Sequence, residues 1–478
     1  MGDVFSNYNF IIEVNNYIKK EAPDLDSETT IARSLTKAFE YASKTLGIGE
    51  EPLISVDGVL WSYSNERGTW SRLENNELLT LAQAMDGAYT AGDKPKRIKI
   101  GFTRAQNIAR STYHLHELQA PDFFELNQKP GTAFTNGFAT VSEWGVELEE
   151  HSPDHAATVA YDFELETECE PPEKWLAFLN SLFVNDADSQ SKIKVLQEFI
   201  GAAIAGGGLS TSRQKCLLLL GSGANGKSLL GDLISELLFP KGTATFVSPR
   251  RWDRDYSVHS LRDSKINIVG ELPETNALDA SAFKSIIAGD RIEARLPYQS
   301  PYYFSPQAAH IFSANEVPRT NDTSHGFMRR WIMISFNENF ENSPFRKTKE
   351  DFVKELEPEK SAIIYWALNG AARLIKNGDY SRIESHKETI DDWRKESDGV
   401  FDFATSCLEF PSQRQTQLGE LRSAYKDWAG RVGRVDEIGA QTLSKRLQKV
   451  GLDKKRLAKG AVFNCDIKPI SAWQDVSN

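Results

Sequence analysis

A multidomain α/β protein is the fold class this sequence predicts, and three observations carry the prediction. The chain has 478 residues, which at about 100 to 200 residues per domain calls for two to four domains. At residue 213 the composition shifts: a strand-like run, KCLLLLG, leads through GSGANGKS into a helix-like LLGDLISELLF, the order strand, glycine-rich loop, helix. Further apolar strand candidates follow, KINIVGE at 265–271, AAHIFSAN at 308–315 and RWIMISF at 330–336, spaced as in an α/β nucleotide-binding domain.

Composition excludes several classes. Hydrophobic residues make up 40% and charged residues 26%, ordinary for a protein with a packed core and against wholesale disorder. No stretch approaches the roughly 18 uninterrupted apolar residues of a membrane span, and MGDVFSNYNF lacks the basic-then-apolar pattern of a signal peptide. A cytoplasmic protein without a membrane partner is expected. Cys169, Cys216, Cys407 and Cys465 lie far apart with no CxxC pair, which suggests reduced thiols rather than a disulfide framework or a cysteine-rich zinc site. With a formal net charge of −11, any polyanion must be held by a local patch.

Along the chain, residues 1–50 read as a helical N-terminal segment, with Ile11, Ile12, Val14, Tyr17 and Ile18 and then Ala32, Leu35, Ala38 and Phe39 at roughly helical spacing. Residues 51–205 read as an α+β domain: a β-meander turning at Asp57-Gly58 and Arg67-Gly68, amphipathic helices from about 75 to 118, a second β-rich stretch over 131–153, and helices after Pro171-Pro172. Gly206-Gly207-Gly208 reads as a hinge or linker. The α/β core spans 206–345, a charged helical lid or connector 346–400, and the segment 401–478 shows helices followed by a short hairpin, compatible with a winged helix-turn-helix.

Gly221-Ser222-Gly223-Ala224-Asn225-Gly226-Lys227-Ser228 matches G-x-x-x-x-G-K-[ST] without a mismatch. Glycines let backbone N–H groups curl around phosphates, Lys227 brings a cation to the β and γ oxygens, and Ser228 offers a hydroxyl to Mg²⁺. The following helix adds its positive N-terminal end. The plain alternative is a glycine-rich turn that contains GKS by chance. Glu271 ends the run KINIVG, where a carboxylate polarises an attacking water or holds the magnesium's water shell, and Glu274 follows three residues on. Asn315 ends AAHIFSAN, a neutral amide suited to orienting water near a γ-phosphate. Their plain alternatives are a solvent-facing strand end for Glu271 and a turn-forming Asn for Asn315.

These residues carry a family likeness. GSGANGKS, GELPE, FKSIIAGDRIEAR and FSANEVPRTNDTSHGFMRRWIMISF together resemble superfamily 3 helicases of the phage, plasmid and poxvirus primase-helicase branch. The likeness extends to GTAFTNGFATVSEWGVELEEHSPDH and PPEKWLAFLNSLF upstream and, more loosely, to a winged-helix tail. It implies an AAA+-like P-loop ATPase core between an N-terminal α+β domain and a C-terminal helical or winged-helix domain, with ATP and Mg²⁺ as cofactors. By resemblance Asn225 is the loop Asn, Glu271 the Walker B acid and Asn315 the sensor. Arg330 fits an arginine finger delivered to a neighbour's γ-phosphate, with Arg329 the next candidate. A finger facing a partner's site repeats head to tail until a ring closes, and a hexamer is implied. Gly270 precedes Glu271 where many relatives carry a second acid.

Between the acid and the sensor, RIEARLPYQSPYYFSP should form a β-hairpin that in this family projects into the ring's channel and tracks single-stranded DNA. Lys284 and Arg295 belong to that motif, and Tyr298 stacking or Gln299 hydrogen bonding would grip the strand at the tip. A hairpin that merely packs a buried Tyr is the plain alternative. His114 and His116 share a face only on a strand, which speaks against a metal site in a helical context. Arg250, Arg251 and Arg254 flank Trp252 as either a solvated loop or a DNA contact. After residue 410, thirteen Lys or Arg face seven Asp or Glu, the local patch that DNA binding needs, or else a solvated basic bundle.

The leading expectation is an ATP-driven DNA helicase for replication of a virus, plasmid or integrated element. The alternative is an ATP-controlled initiator or loader that binds DNA without processive unwinding, and a small-molecule kinase is disfavoured because it needs neither trans arginine nor hairpin. Residues 1–150 show no primase cluster of acids and histidine, which implies a separate primase beside a host polymerase.

Overall fold

The structure, a computed structural model, describes residues 13, 16–17, 27–45, 53–56, 59–73, 75–87, 89, 96–115, 123–272, 280–297, 301–318, 320, 322, 324–341, 347–433, 438–457 and 460–473. Helix α1 (Glu28–Thr45) buries Ile31 and Leu35 against α2 (Asn75–Ala84) and α3 (Phe102–Leu115). Strands β1 (Leu53–Val56), β2 (Val59–Ser64) and β3 (Thr69–Arg72) form the expected antiparallel meander. Its register sets Tyr63 opposite Trp70, and these rings pack with Phe123 and Phe124 in a small aromatic core. A second antiparallel meander follows in β4 (Gly131–Phe134), β5 (Gly137–Ser142) and β6 (Gly145–Glu149).

Helices α4 (Glu173–Leu182) and α5 (Ser189–Ala205) lead to the central sheet. That sheet holds β7 (Cys216–Leu220), β8 (Ala244–Thr245), β9 (Ile266–Val269), β12 (Ala309–Ala314) and β13 (Trp331–Ser335), all parallel, in the order β13-β7-β12-β9-β8. Helix α6 (Lys227–Leu237) follows β7, and α7 (Ala280–Ala288) precedes the antiparallel pair β10 (Ile292–Ala294) and β11 (Tyr302–Phe304). Both faces of the sheet are covered. Leu217, Leu219, Ile311 and Ile334 enter one core, while Cys216, Leu218, Phe312 and Met333 enter another. Strands buried on both sides read as continuous apolar runs such as CLLLL rather than as alternation.

The first of these cores reaches beyond the sheet. It runs from Phe134 through Leu196 and Leu217 to Ile364 and Leu374, so it crosses the boundaries expected at 205/206 and 345/346. Helix α8 (Lys349–Leu356) is followed by α9 (Lys360–Asn377), which belongs to this core instead of standing off as a connector. It lies along α5 at backbone contact: a Cβ on Gly201 would stand 1.9 Å from the Ala367 carbonyl oxygen. Gly206-Gly207-Gly208 is likewise a packed turn and not a linker. All three residues have positive φ, and a Cβ on Gly207 would come 2.6 Å from the Pro130 nitrogen, contacts and dihedrals that only glycine tolerates.

Helix α10 (His386–Ser397) inserts Trp393 into the core on the second face of the sheet. A separate core begins at Val400, built by α11 (Gly399–Cys407), α12 (Leu418–Arg431) and α13 (Ala440–Val450) around Phe403, Tyr425, Trp428 and Leu447. Strand β14 (Leu408–Glu409) pairs with β18 (Asp466–Ile467), while β15 (Thr416–Gln417), β16 (Lys454–Leu457) and β17 (Gly460–Phe463) form a sheet ordered β15-β17-β16. Among the described residues no helix is long and apolar enough to cross a membrane.

Candidate functional site

The glycine-rich loop leaves the C-terminal end of β7 and enters α6. Its curl needs backbone that side chains oppose: Gly223 and Gly226 have φ of +105° and +85°, and Ala224 has φ 49°. Gly221 has no room for a side chain, since a Cβ would lie 2.6 Å from the Phe336 carbonyl oxygen. Asn225 is buried; its Nδ2 donates to that same Phe336 oxygen at 3.3 Å, and the Phe340 N–H donates to the Ala224 carbonyl at 2.7 Å. Lys227 is also buried, and its Nζ donates to the Gly221 carbonyl at 2.6 Å and to Asn225 Oδ1 at 2.8 Å. Burial lowers the Lys227 pKa, and the Glu271 charge opposes that shift.

The loop forms one wall of a cleft of about 840 Å³. Glu271 and Asn315 form another, each just beyond the end of its strand. Because β12 lies between β7 and β9, Asn315 stands between the loop and Glu271. Asn315 Nδ2 lies 3.5 Å from Glu271 Oε1 as its donor. Backbone bonds tie the three strand exits together: Gly221 N–H donates to Ala314 and Leu272 N–H to Ser313, at 3.2 and 2.7 Å. The structure thus brings Lys227, Ser228, Glu271 and Asn315 to one cleft. Ser228 and Glu271 are exposed to it, and a hydroxyl with a carboxylate is the oxygen donor set that suits Mg²⁺. Glu274 lies outside the described residues.

The motifs did not reveal the far wall. Phe178 from α4, Phe340, and Phe352 from α8 line the cleft beside Lys347, an aromatic surface next to the glycine-rich loop. No local pattern marks these residues, which come from segments before and after the sheet.

Arg329 and Arg330 sit at the opposite end of the sheet. The parallel register pairs Trp331 with Cys216 and Ser335 with Leu220, so the arginines lie about 20 Å from the start of the loop at roughly 3.3 Å per strand residue. Neither serves its own cleft. Arg330, the expected finger, is buried, and its Nη1 donates to the Gly326 carbonyl. Its own carbonyl accepts from Cys216 N–H at 2.8 Å. Arg329 is exposed and donates to Gln214 Oε1 at 2.6 Å. Arg330 is thus buried and bonded within the chain, whereas Arg329 is exposed.

The expected hairpin is present, with Ile292 opposite Phe304 and Ala294 opposite Tyr302. Its tip residues Tyr298 and Gln299 lie outside the described residues, as does His116. Arg295 leaves β10 exposed, its guanidinium 5.6 Å from the Tyr256 ring centre. Lys284 lies on α7 and pairs with Asp322 Oδ2 at 2.9 Å, so its charge is matched within the protein. Trp252 is core, stacked on Phe283, which removes it from the basic loop as a DNA contact.

Comparison with known proteins gives limited likenesses. Residues 219–330 match a family of unknown function, DUF5906. The chain is 30% identical over 137 residues to protein L207/L206 of Acanthamoeba polyphaga mimivirus, whose name provisionally calls it a helicase. The match spans 27% of this chain and 14% of that protein. An apo A form of the NrS-1 C-terminal region superposes with a TM-score of 0.47 and 12% identity over 88% of this chain and 97% of the other. A second apo structure, of NrS-1 residues 305–718, gives 0.46 and 12% over 92% and 99%.

Proposed function

We propose that the protein is an ATP-dependent DNA helicase of the superfamily 3 type, working as a ring, for replication of a virus, plasmid or integrated element. One observation carries the reading: Asn315 stands between the lysine loop and Glu271 at the exits of three adjacent parallel strands. That is the arrangement in-line attack of water on a γ-phosphate requires, with a cation on the phosphate, an amide beside the water and a carboxylate to take its proton. The strand order β13-β7-β12-β9-β8 supports the AAA+-like reading of this core, and the short helicase likeness to the mimivirus protein supports the chemistry.

ATP would enter with its phosphates on residues 221–228 and its base against Phe178, Phe340 and Phe352. Mg²⁺, held by Ser228 and by Glu271 through its water shell, would neutralise charge on the β and γ oxygens. Lys227 would exchange its bonds to Gly221 and Asn225 for phosphate oxygens. Arg329, exposed at the far end of the sheet, is suited to act in trans, which requires a head-to-tail ring such as a hexamer. Single-stranded DNA would run past the hairpin of β10 and β11, with Arg295, Tyr298 and Gln299 as contacts. Lys284 would position the adjoining loop through Asp322 rather than touch DNA. We read 1–50, 51–205, 206–345, 346–400 and 401–478 as functional segments, the middle three sharing a core.

The second reading, an initiator or loader, is favoured by the C-terminal surface. Strand β16 exposes Lys454, Lys455 and Arg456 beside α13, which carries Lys445, Arg446 and Lys449. This is a winged-helix-like basic face that could dock duplex DNA without unwinding it. The test measures forked-duplex unwinding alongside ATPase with and without single-stranded DNA. Unwinding that is lost in Tyr298→Ala/Gln299→Ala while basal ATPase persists supports the helicase. ATPase without unwinding under any loading condition supports the loader, and ATPase indifferent to DNA would overturn both.

A further inference from the structure

A buried cation stands behind the lysine loop. Lys192 is 1% exposed and lies in the opening turn of α5, the end of a helix whose dipole disfavours positive charge. Its Nζ donates to Asp186 Oδ2 at 2.5 Å and to the Ser335 carbonyl at 2.8 Å, and it lies 5.4 Å from the Phe183 ring centre. A buried ion pair adds little to stability over an apolar pair of similar volume, so the pairing with Asp186 does not by itself account for a lysine at this place. The bond to Ser335 does, because of where the chain goes next.

Ser335 ends β13, and residues 335–340 run on as a strap between the glycine-rich loop and the turn joining α4 to α5. Its first two carbonyls serve the two sides: that of Ser335 accepts from Lys192, and that of Phe336 accepts from Asn225 Nδ2 at 3.3 Å. Asn225 Oδ1 accepts from Lys227 at 2.8 Å. Lys192 and Lys227 are thus the two ends of one relay through Ser335, Phe336 and Asn225. The turn grips the strap twice more. Glu338 Oε1 accepts from the Asn185 N–H at 3.3 Å and from its Nδ2 at 3.0 Å, and Asn337 Nδ2 donates to Asp186 Oδ2 at 3.4 Å. The Phe183 and Phe336 rings meet at 5.0 Å. On the loop side the Phe340 N–H donates to the Ala224 carbonyl at 2.7 Å. Leu182 closes the bracket on the loop itself, since a Cβ on Gly226 would stand 2.6 Å from its Cδ2.

We propose that Lys192, paired with Asp186, is a positioning residue for Lys227. It does not line the cleft; it fixes the Ser335 carbonyl, which fixes the neighbouring Phe336 carbonyl on which Asn225 hangs, and Asn225 holds the loop lysine. The catalytic meaning rests on the proposed ATP chemistry of the loop, whereas the mechanical link does not.

The experiment uses the full chain and two variants. Lys192→Met/Asp186→Asn removes both charges together, so no buried charge is left unpaired, and Asn keeps an acceptor for the Asp188 N–H, bonded to Asp186 Oδ1 at 2.8 Å. Asn185→Ala, at an exposed residue, loosens the same strap without touching the buried pair and decides the matter if the double variant folds poorly. Amide hydrogen exchange is read at Phe336 and Phe340, whose N–H groups are bonded to Leu220 and Ala224, and ATPase is read alongside the melting temperature. Both variants should exchange faster at these two amides, and kcat should fall about 10-fold in the double variant, as a displacement of less than 1 Å implies, and less in Asn185→Ala. Introduced into Asn225→Ala, where the relay is already cut, the double substitution should cost no more than about 2-fold further. A full second loss in that background means that Lys192 acts by another route and overturns the proposal. Unchanged exchange and ATPase in both variants overturns it too, and leaves the helicase reading intact. If wild type hydrolyses no ATP, the helicase reading falls, and exchange alone decides the link: faster exchange in the variants upholds it, and unchanged exchange overturns it.

Discussion

Lys227 donates to Asn225 Oδ1 at 2.8 Å, and the amide of Asn225 donates in turn to the Phe336 carbonyl at 3.3 Å. The loop lysine is thereby held through a side chain anchored to the strand exit of β13, and not by the loop backbone alone.

Replacing Asn225 with Ala should misplace Lys227 without unfolding the chain, because the amide is the only link in that relay to be lost. A misplacement of about 1 Å can cost on the order of 10²-fold in rate, and ATPase should fall on that scale while nucleotide binding weakens less. Lys227→Ala should abolish turnover altogether. A folded Lys227→Ala protein with near-wild-type ATPase would falsify the proposed phosphate role of the loop.

Glu271→Gln should bind ATP and fail to hydrolyse it, since an amide cannot take the water's proton. Asn315→Ala should slow hydrolysis less severely, because Glu271 keeps its carboxylate and loses only a partner at 3.5 Å. Single-turnover hydrolysis with a separate nucleotide-binding measurement checks both. Faster turnover in Glu271→Gln than in Asn315→Ala would reverse the assigned roles.

Arg329→Ala should slow hydrolysis about 10³-fold, the scale of arginines supplied in trans, with no change in melting temperature because the side chain is exposed. Arg330→Ala should lower the melting temperature, since it empties a buried site and frees the Gly326 carbonyl. Mixing Arg329→Ala with Lys227→Ala subunits should restore part of the activity by pairing an intact arginine with an intact loop. No rescue after verified subunit exchange would mean that Arg329 does not act across an interface.

His310 is buried with neither ring nitrogen bonded, and burial pushes its pKa down to about 3; burial likewise brings His386 to about 4. The unfolded chain takes up these protons near the ordinary histidine pKa and the folded chain does not, so stability is lost as pH falls below that value. The expected slope approaches about 1.4 kcal/mol per pH unit for each histidine. His310→Phe keeps an aromatic ring and removes the titration, so urea unfolding at about pH 7 and about pH 5 should show a shallower loss than wild type. An identical pH dependence in the variant would show that His310 is protonated in the folded state.

Much of the central sheet was legible because its signals are local. CLLLL, INIV and AHIFSA announce strands buried on both faces, and the loop between β7 and α6 is marked by glycines whose positive φ no other residue supplies cheaply. The glycine triplet at 206–208 was legible as glycine but misread as a linker, since its cause is the close passage of Pro130 and Lys265, residues distant in sequence. The aromatic wall of the cleft was not legible, because Phe178, Phe340 and Phe352 each look like ordinary core residues of their own segments.

By itself the sequence determined which residue types stand at the strand exits: the lysine loop, Glu271 and Asn315 are fixed by their places at the ends of apolar runs. Only the tertiary structure decided which charges are free to act. Arg330 is buried and Arg329 exposed, although they are adjacent and chemically identical, and Lys284 is matched by Asp322. Arg72 of the first meander is matched by Asp263, from the turn before β9. The reason is physical: a strand's apolar pattern is written within a few residues, whereas a charged group's burial and its partner depend on which distant segments pack around it.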